Sequence, residues 1–433
     1  MPPRGGLARH VTLVHHLPRV VGPPKDWLPV TEIATARVPR LAAVDGMRFL
    51  AATGIVLTHV GFDTGLTTGP AWFGGLFAAL DVSVAIFLAI SGFVLFQPWV
   101  ANAVDGRESP GTGSFLVRRL ARILPAYWLV VTVCLVVANT ATLADWARHL
   151  TMTQIYFYGG LRPTLGHTWS LCVELTFYFV LPLLAAWAVG RPRSGRPWRP
   201  VSTVLRAGGF CVGVTVIWIA LMATGALRLD LHTTWWPSHA VWFGIGIVLA
   251  AAHTALRTGL APRYWRVLED MGASPVLCWS TAAVLLGLAA TPLAGPRGLE
   301  MPTAAQFATQ QGLYAGIATL VLIPLVFGPP TRLRSALGSP VMQWLGGLTY
   351  SLYLWHPFVL EMGRRLTGWP AFTGHAWAFA AIGILGGLAL AVPTYYLVER
   401  PVMRFAGRLT SRPGRRTTVP PVVLTDVAAR TEY

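Results

Sequence analysis

An all-α, polytopic membrane bundle of about ten helices is the fold class this sequence predicts, and three observations carry it. Of 433 residues, 54% are hydrophobic and only 12% charged, against roughly 25% charged in soluble domains. Apolar runs of about 20 residues, the length that crosses a hydrocarbon core, recur at 45–64, 76–99, 123–141, 167–189, 207–226, 237–255, 271–292, 306–328, 341–361 and 375–397. With both tails placed in the cytoplasm, Arg148, Arg162, Arg228, Arg297, Arg364 and Arg365 are the only outer members of the 34 Lys and Arg residues. That is the positive-inside distribution. It predicts a multi-pass protein of a bacterial inner membrane with cytoplasmic termini.

Residues 1–40 are polar, carry Pro23 and Pro24, and contain no apolar stretch resembling a signal-peptide core. They are expected to form a disordered cytoplasmic leader, followed by a transmembrane domain over 41–405. Residues 406–433, rich in Arg, Pro and Thr, are expected to form a disordered cytoplasmic tail too short for a second domain. Basic residues outnumber acidic ones 34 to 17. Because the excess lies in short connections, it reads as a topology signal and not as a nucleic-acid surface. Cys134, Cys172, Cys211 and Cys278 all fall in apolar runs without CxxC spacing, which indicates neither a disulfide framework nor a zinc site. No residue pattern suggests a metal, and no internal repeat or inverted symmetry is visible.

Ionisable residues within the spans are costly in hydrocarbon and so mark candidate sites. Span one reads VDGMRFLAATGIVLTH, placing Arg48 and His59 eleven residues apart, on nearly one helix face and about 16 Å from each other. Span two carries Ser91 and Gly92 in AIFLAISGFVLF near its inner end, where the glycine allows a ligand or a helix to approach closely. Arg118, Arg119 and Arg122 lead into span three in VRRLARILPAYW; alone they are ordinary anchors, and together with Arg48 they suit phosphates. Span four, GHTWSLCVELTFYFVLPLL, offers His167, Trp169, Ser170 and Glu174, with Glu174 about two turns deeper than His167. Span nine, YSLYLWHP, offers Tyr350, Tyr353 and His356, the last before Pro357, where a kink is expected. Glu399 and Arg400, ending span ten, are expected to pair or to cap a helix. Each residue also has an ordinary role to play: Glu174 as a helix-to-helix partner, His356 as a donor at the kink, the tyrosines as packing residues, Trp169 and Trp355 as interfacial aromatics.

VDGMRFLAATGIVLTH, FLAISGFVLF, VRRLARILPAYW, LGHTWSLCVELTFYFVLPLL, YSLYLWHPFVL and VERPVMRF occur in that order over Leu41 to Phe405. In this the chain resembles the bacterial membrane acyltransferase family 3, which includes O-antigen and antibiotic-sugar acyltransferases. The resemblance implies transfer of a short acyl group from acyl-CoA, acetyl-CoA above all, to a hydroxyl of a cell-envelope glycan or a glycosylated secondary metabolite, with no tightly bound cofactor. It implies that Arg48 and His59 are essential, that Ser91, Gly92, Phe93, Arg118, Arg119 and Arg122 help receive the donor, and that Glu174 matches the family's carboxylate. Some members add a span and a C-terminal SGNH hydrolase-like domain, for which no room is expected here. The chain has DGMRF where DGLRG is commoner, and its leader is not part of the pattern.

Such a reaction needs a base, a positioned thioester and a donor to the developing oxyanion. His59 suits the base, with Glu174 orienting it and Arg48 anchoring the donor. His167, Trp169, Ser170, Tyr353 and His356, nearer the outer side, are expected to meet the acceptor. A proton-coupled transporter or flippase would also bury His, Arg and Glu in a bundle, and a sensing protein is a weaker alternative.

Overall fold

The computed structural model describes residues 41–69, 73–190, 197–298 and 300–410; the leader assigned to 1–40 and the tail beyond Thr410 lie outside them. Among the described residues there are helices, turns and loops and no strand. A helix occupies each expected position: α1 Ala42–Asp63, α2 Val82–Val104, α3 Thr112–Ala138, α4 Trp169–Ala188, α5 Pro200–Ala223, α6 Trp236–Arg257, α7 Pro275–Ala289, α8 Ala304–Phe327, α9 Pro340–Thr367 and α10 Ala376–Thr410. Their starts follow local chemistry. Thr303 and Gln306 form a capping box ahead of α8, and Ser339 caps α9 just before Pro340, whose missing N–H costs nothing there.

By length and apolarity seven of the described helices can cross a membrane, and eight if a bent pair counts as one span, so the expected ten is not reproduced on that measure. The bent pair is Arg263–Gly272 and α7, which meet at 81°. Ser274 precedes Pro275, and a residue before proline is pushed out of the α region. Helices α1 and α9 are 22 and 28 residues long but fall outside the seven. Asp45, Arg48, His59 and Asp63 dilute the first, and Gln343, His356, Glu361, Arg364 and Arg365 the second; His59 and His356 face each other, and Glu361 pairs with Arg364 and Arg365.

Packing is closest between α6 and its neighbours α2 and α5, and between α9 and its neighbours α1 and α10. The α2–α6 seam depends on missing side chains: a Cβ at Gly92 would collide with the Phe243 carbonyl, and one at Gly246 with the Ala89 carbonyl. Phe177 of α4 stacks on Phe243 of α6 at 3.9 Å between ring centroids. The four cysteines are buried free thiols. Two π-helical stretches, Ile382–Gly386 and Tyr395–Glu399, interrupt α10. The helix runs on to Thr410, past the boundary expected at 405.

Candidate functional site

Two cavities meet among α1, α2, α3 and α4, the second also bounded by α9. The first, about 280 Å³, is lined by Asp45, Arg48, Ser91, Phe93, Arg119, Arg122, Glu174 and Tyr178. The second, about 80 Å³, shares Arg48, Ser91, Arg122, Glu174 and Tyr178 and continues past Ile55 to Ser170 and Tyr353. Residues from distant parts of the sequence are thereby brought together. Arg119 and Arg122 share a face because α3 already starts at Thr112, so these arginines are helical and three apart. Arg118 points the other way, is exposed and lines neither cavity. Gly92 also leaves the expected donor set: its bare face is turned to α6, and the close approach it permits is that of a helix.

Inside this cavity pair the charges are arranged around Glu174. Ser91 Oγ donates to Glu174 Oε1 at 2.6 Å, and Arg48 lies 3.7 Å from Asp45, one turn back on α1. Arg119 Nε is buried with no hydrogen-bond partner. Three guanidinium groups therefore face two carboxylates, and the excess is positive. Tyr178, one turn after Glu174, lines both cavities and went unremarked in the sequence; the four-residue spacing from an intramembrane glutamate could have pointed to it.

His59 lies elsewhere than expected. It does not meet Glu174. Its ring centroid is 5.0 Å from that of His356, which is 5.2 Å from that of His167. Three imidazoles thus cluster from α1, α9 and the 3₁₀ turn Pro163–Thr168 that precedes α4. Because His167 sits in that turn, the helical spacing linking it to Glu174 does not apply, and the two residues serve different places. The cluster adjoins the inner cavity through Tyr353, whose ring is 5.1 Å from His167 and 5.6 Å from His356. The Tyr353 hydroxyl donates to the His167 carbonyl, so Ser170 Oγ, 2.8 Å away, is the donor to Tyr353.

Pro357 sets the state of His356. Lacking an N–H, it cannot bond the Tyr353 carbonyl four residues back. His356 Nδ1 lies 2.7 Å from that carbonyl oxygen and must be the protonated nitrogen. Nε2 is then an acceptor; it is fully buried and has no hydrogen-bond partner. Sequence reasoning allowed for a donor at this kink; the structure adds a fixed tautomer with a free lone pair.

Trp169 is not in the cluster: it packs on His239 of α6, 4.8 Å between centroids. Tyr350 donates to the Ile123 carbonyl at 2.7 Å, and Trp355 to Thr394 Oγ1 at 2.9 Å. The expected Glu399–Arg400 pair is replaced. Glu399 is buried and accepts from Ser351, while Arg400 lies 5.4 Å over the Tyr396 ring. Consecutive residues of a helix project about 100° apart and do not face each other, which accounts for this. The described residues contain no group of three or more His, Cys, Asp or Glu side chains placed around one ion.

Comparison with known proteins supplies the family. Nodulation protein 10 of Rhizobium leguminosarum bv. viciae is 26% identical over 401 residues, 85% of this chain and 95% of its own. Acyltransferase MdmB of Streptomyces mycarofaciens is 26% identical over 403 residues, 86% of this chain and 94% of its own. Exopolysaccharide production protein ExoZ of Rhizobium meliloti is 24% identical over 328 residues, 74% of this chain and 89% of its own. No solved structure matches. The family model described as an acyltransferase domain matches residues 41–396, most of the chain and every helix that builds the two cavities and the imidazole cluster, and the protein belongs to acyltransferase family 3.

Proposed function

We propose that this membrane acyltransferase moves a short acyl group from acyl-CoA, acetyl-CoA foremost, to a sugar hydroxyl, with His59 as general base. The observation that carries the reading is the continuous cavity pair, cationic at one end, that reaches Ile55 on α1 one turn before His59. Arg48, Arg119 and Arg122 suit the phosphates of the donor. Glu174, held by Ser91, keeps those guanidinium groups apart and aligned, and takes this role in place of orienting His59. The narrower cavity suits an extended pantetheine arm ending beside Ser170 and Tyr353.

In the transfer, the acceptor oxygen attacks the thioester carbonyl as its proton passes to His59; the carbon–sulfur bond breaks, and the leaving thiolate takes a proton from the imidazolium. The 5.0 Å between the two ring centroids supports His356 Nε2 as the acceptor that one N–H of His59 would reach in the reaction, leaving the other His59 nitrogen for the acceptor hydroxyl. This gives a neutral imidazole the orienting part that a carboxylate has elsewhere. The name of one relative, referring to exopolysaccharide production, supports a glycan acceptor. The charge distribution supports donor entry from the cytoplasm of the bacterial inner membrane, with both termini on that side.

The test is thiol release from acetyl-, propionyl- and longer acyl-CoAs by detergent-purified protein with a glycan extract. His59→Ala and Arg48→Ala variants that still fold are run beside it. Release by the wild type that is lost in both variants is expected. Release that survives His59→Ala removes the assigned base, and failure to bind CoA at all removes the reading.

A further inference from the structure

A third cavity, of about 180 Å³, lies at the other end of α1 from Arg48. We propose that it binds a neutral saccharide ring and is the acceptor subsite of the transfer proposed above, on which this assignment rests. Its lining includes Thr58, Phe62, Thr67, Asp81, Gln310 and Tyr314. None of these belongs to the donor cavities or to the imidazole cluster.

Asp81 stands just before α2 and accepts from the Tyr314 hydroxyl of α8. Gln310, one turn earlier on α8, places its amide nitrogen 3.5 Å from the same hydroxyl. Thr67 Oγ1 is buried, at 2% residue exposure, with no hydrogen-bond partner. A carboxylate, a carboxamide, a phenol and two threonine hydroxyls thus converge. Such a mixture of donors and acceptors matches a polyhydroxylated ligand. Arg297 balances Asp81: its guanidinium is tied to the Ala290 carbonyl at 2.9 Å and occupies space that a side chain on Gly75 would fill. With one charge of each sign the chamber does not select an ion. Phe62 adds a flat apolar wall for the C–H face of a ring. At about 30 Å³ per water the cavity holds roughly six waters, which the oxygens of a sugar ring would replace.

Position along α1 links this chamber to the chemistry. Ile55 lines the donor cavity, Thr58 lines the chamber, and His59 follows Thr58. A hydroxyl held here and a thioester held beyond Ile55 would approach His59 from opposite ends of the bundle. Arg48 and Thr58 are separated by about 15 Å along the helix.

Saturation-transfer NMR on the full chain in lipid nanodiscs, with methyl α-glucoside, methyl α-galactoside and methyl α-mannoside and no acyl donor, tests the assignment. At least one glycoside is expected to give transfer. The signal should fall by about fivefold in Gln310→Ala, the loss of one side-chain hydrogen bond, fall further in Asp81→Asn, and persist in Arg119→Ala. Gln310→Ala leaves the Asp81–Tyr314 pair intact and so stands in if Asp81→Asn does not fold. No transfer from any glycoside, or equal transfer in Gln310→Ala, overturns the assignment. Because no acyl donor is present, a chamber-dependent signal without thiol release in the earlier assay sinks the transferase reading alone. Thiol release with a glycan but no chamber-dependent signal sinks the acceptor subsite alone.

Discussion

His356 Nδ1 donates to the carbonyl of Tyr353, the group that Pro357 leaves without a helical partner. A Pro357→Ala change would restore that partner and let the His356 imidazole choose either tautomer. The expected result is a fall in kcat/KM of about tenfold, or 1.4 kcal/mol of transition-state stabilisation, with KM for acyl-CoA little changed. His356→Phe should lose more, and His356→Asn, which can supply both a donor and an acceptor, should recover part of the activity. Steady-state kinetics on folded variants decides it; equal rates for His356→Phe and wild type would remove His356 from the mechanism.

Neighbouring arginines on α3 should behave oppositely. Arg119 lines the larger cavity and Arg118 faces away from it. Arg119→Ala should raise KM for acyl-CoA by roughly ten- to hundredfold, the worth of one charge-assisted hydrogen bond. Arg118→Ala should change it by less than about twofold, as an exposed charge does. Similar KM values for the two variants would contradict the assignment of the donor cavity.

The α2–α6 seam gives a stability prediction. Gly246→Ala pushes a methyl group into the Ala89 carbonyl and toward the Phe93 amide, where backbone and not a mobile side chain must give way. A loss of about 1–3 kcal/mol, as in overpacked cores, is expected, read as a lower midpoint in thermal unfolding in detergent. Gly213→Ala on the open side of α5, where a Cβ meets nothing within 4 Å, is the matched control and should not destabilise.

Outside the spans, Asp145 closes a capping box with Thr142 at the start of the short helix Leu143–Leu150. Hydrogen bonds from the Thr142 amide and hydroxyl, aided by Arg162 and His149, hold its carboxyl below the usual range. A lowered folded pKa means the stabilisation is complete above the unfolded value, about 3.9, and fades as pH falls through the folded one. The difference in unfolding midpoint between wild type and Asp145→Ala should therefore be constant from about pH 8 to 5 and shrink below about pH 4. Thr142→Ala should cost about 1 kcal/mol at neutral pH.

Much of this architecture was readable in advance because membrane helices announce themselves as apolar runs with punctuating Pro, Ser and Thr. The sequence grouped Arg48 with Arg118, Arg119 and Arg122 as a set that would suit phosphates; the structure brings Arg48, Arg119 and Arg122 to one cavity and leaves Arg118 outside it. What the sequence could not provide was the pairing of helices. Ser91 with Glu174 and His59 with His356 join residues far apart in the chain, and each span has several faces on which such a partner could sit. Asp81 was overlooked because an acid at the mouth of an apolar run reads as loop. Its cost so close to hydrocarbon was the available signal. Helix α1 is less apolar than the seven membrane-length helices because it carries Asp45, Arg48, His59 and Asp63.

The two π-helical stretches of α10 each accommodate one residue more than an α-helix would, and that surplus fixes the angular phase of everything after it. Removing a single residue from Tyr395–Glu399 would make the turn regular and swing the following segment by about 100°. Met403 would then leave Arg122, which it now meets at 3.8 Å between Nη1 and Sδ. Arg122, which lines both cavities, keeps its Met403 neighbour through one surplus residue in α10, so the spacing of α10 is as much a part of the site as any side chain lining it.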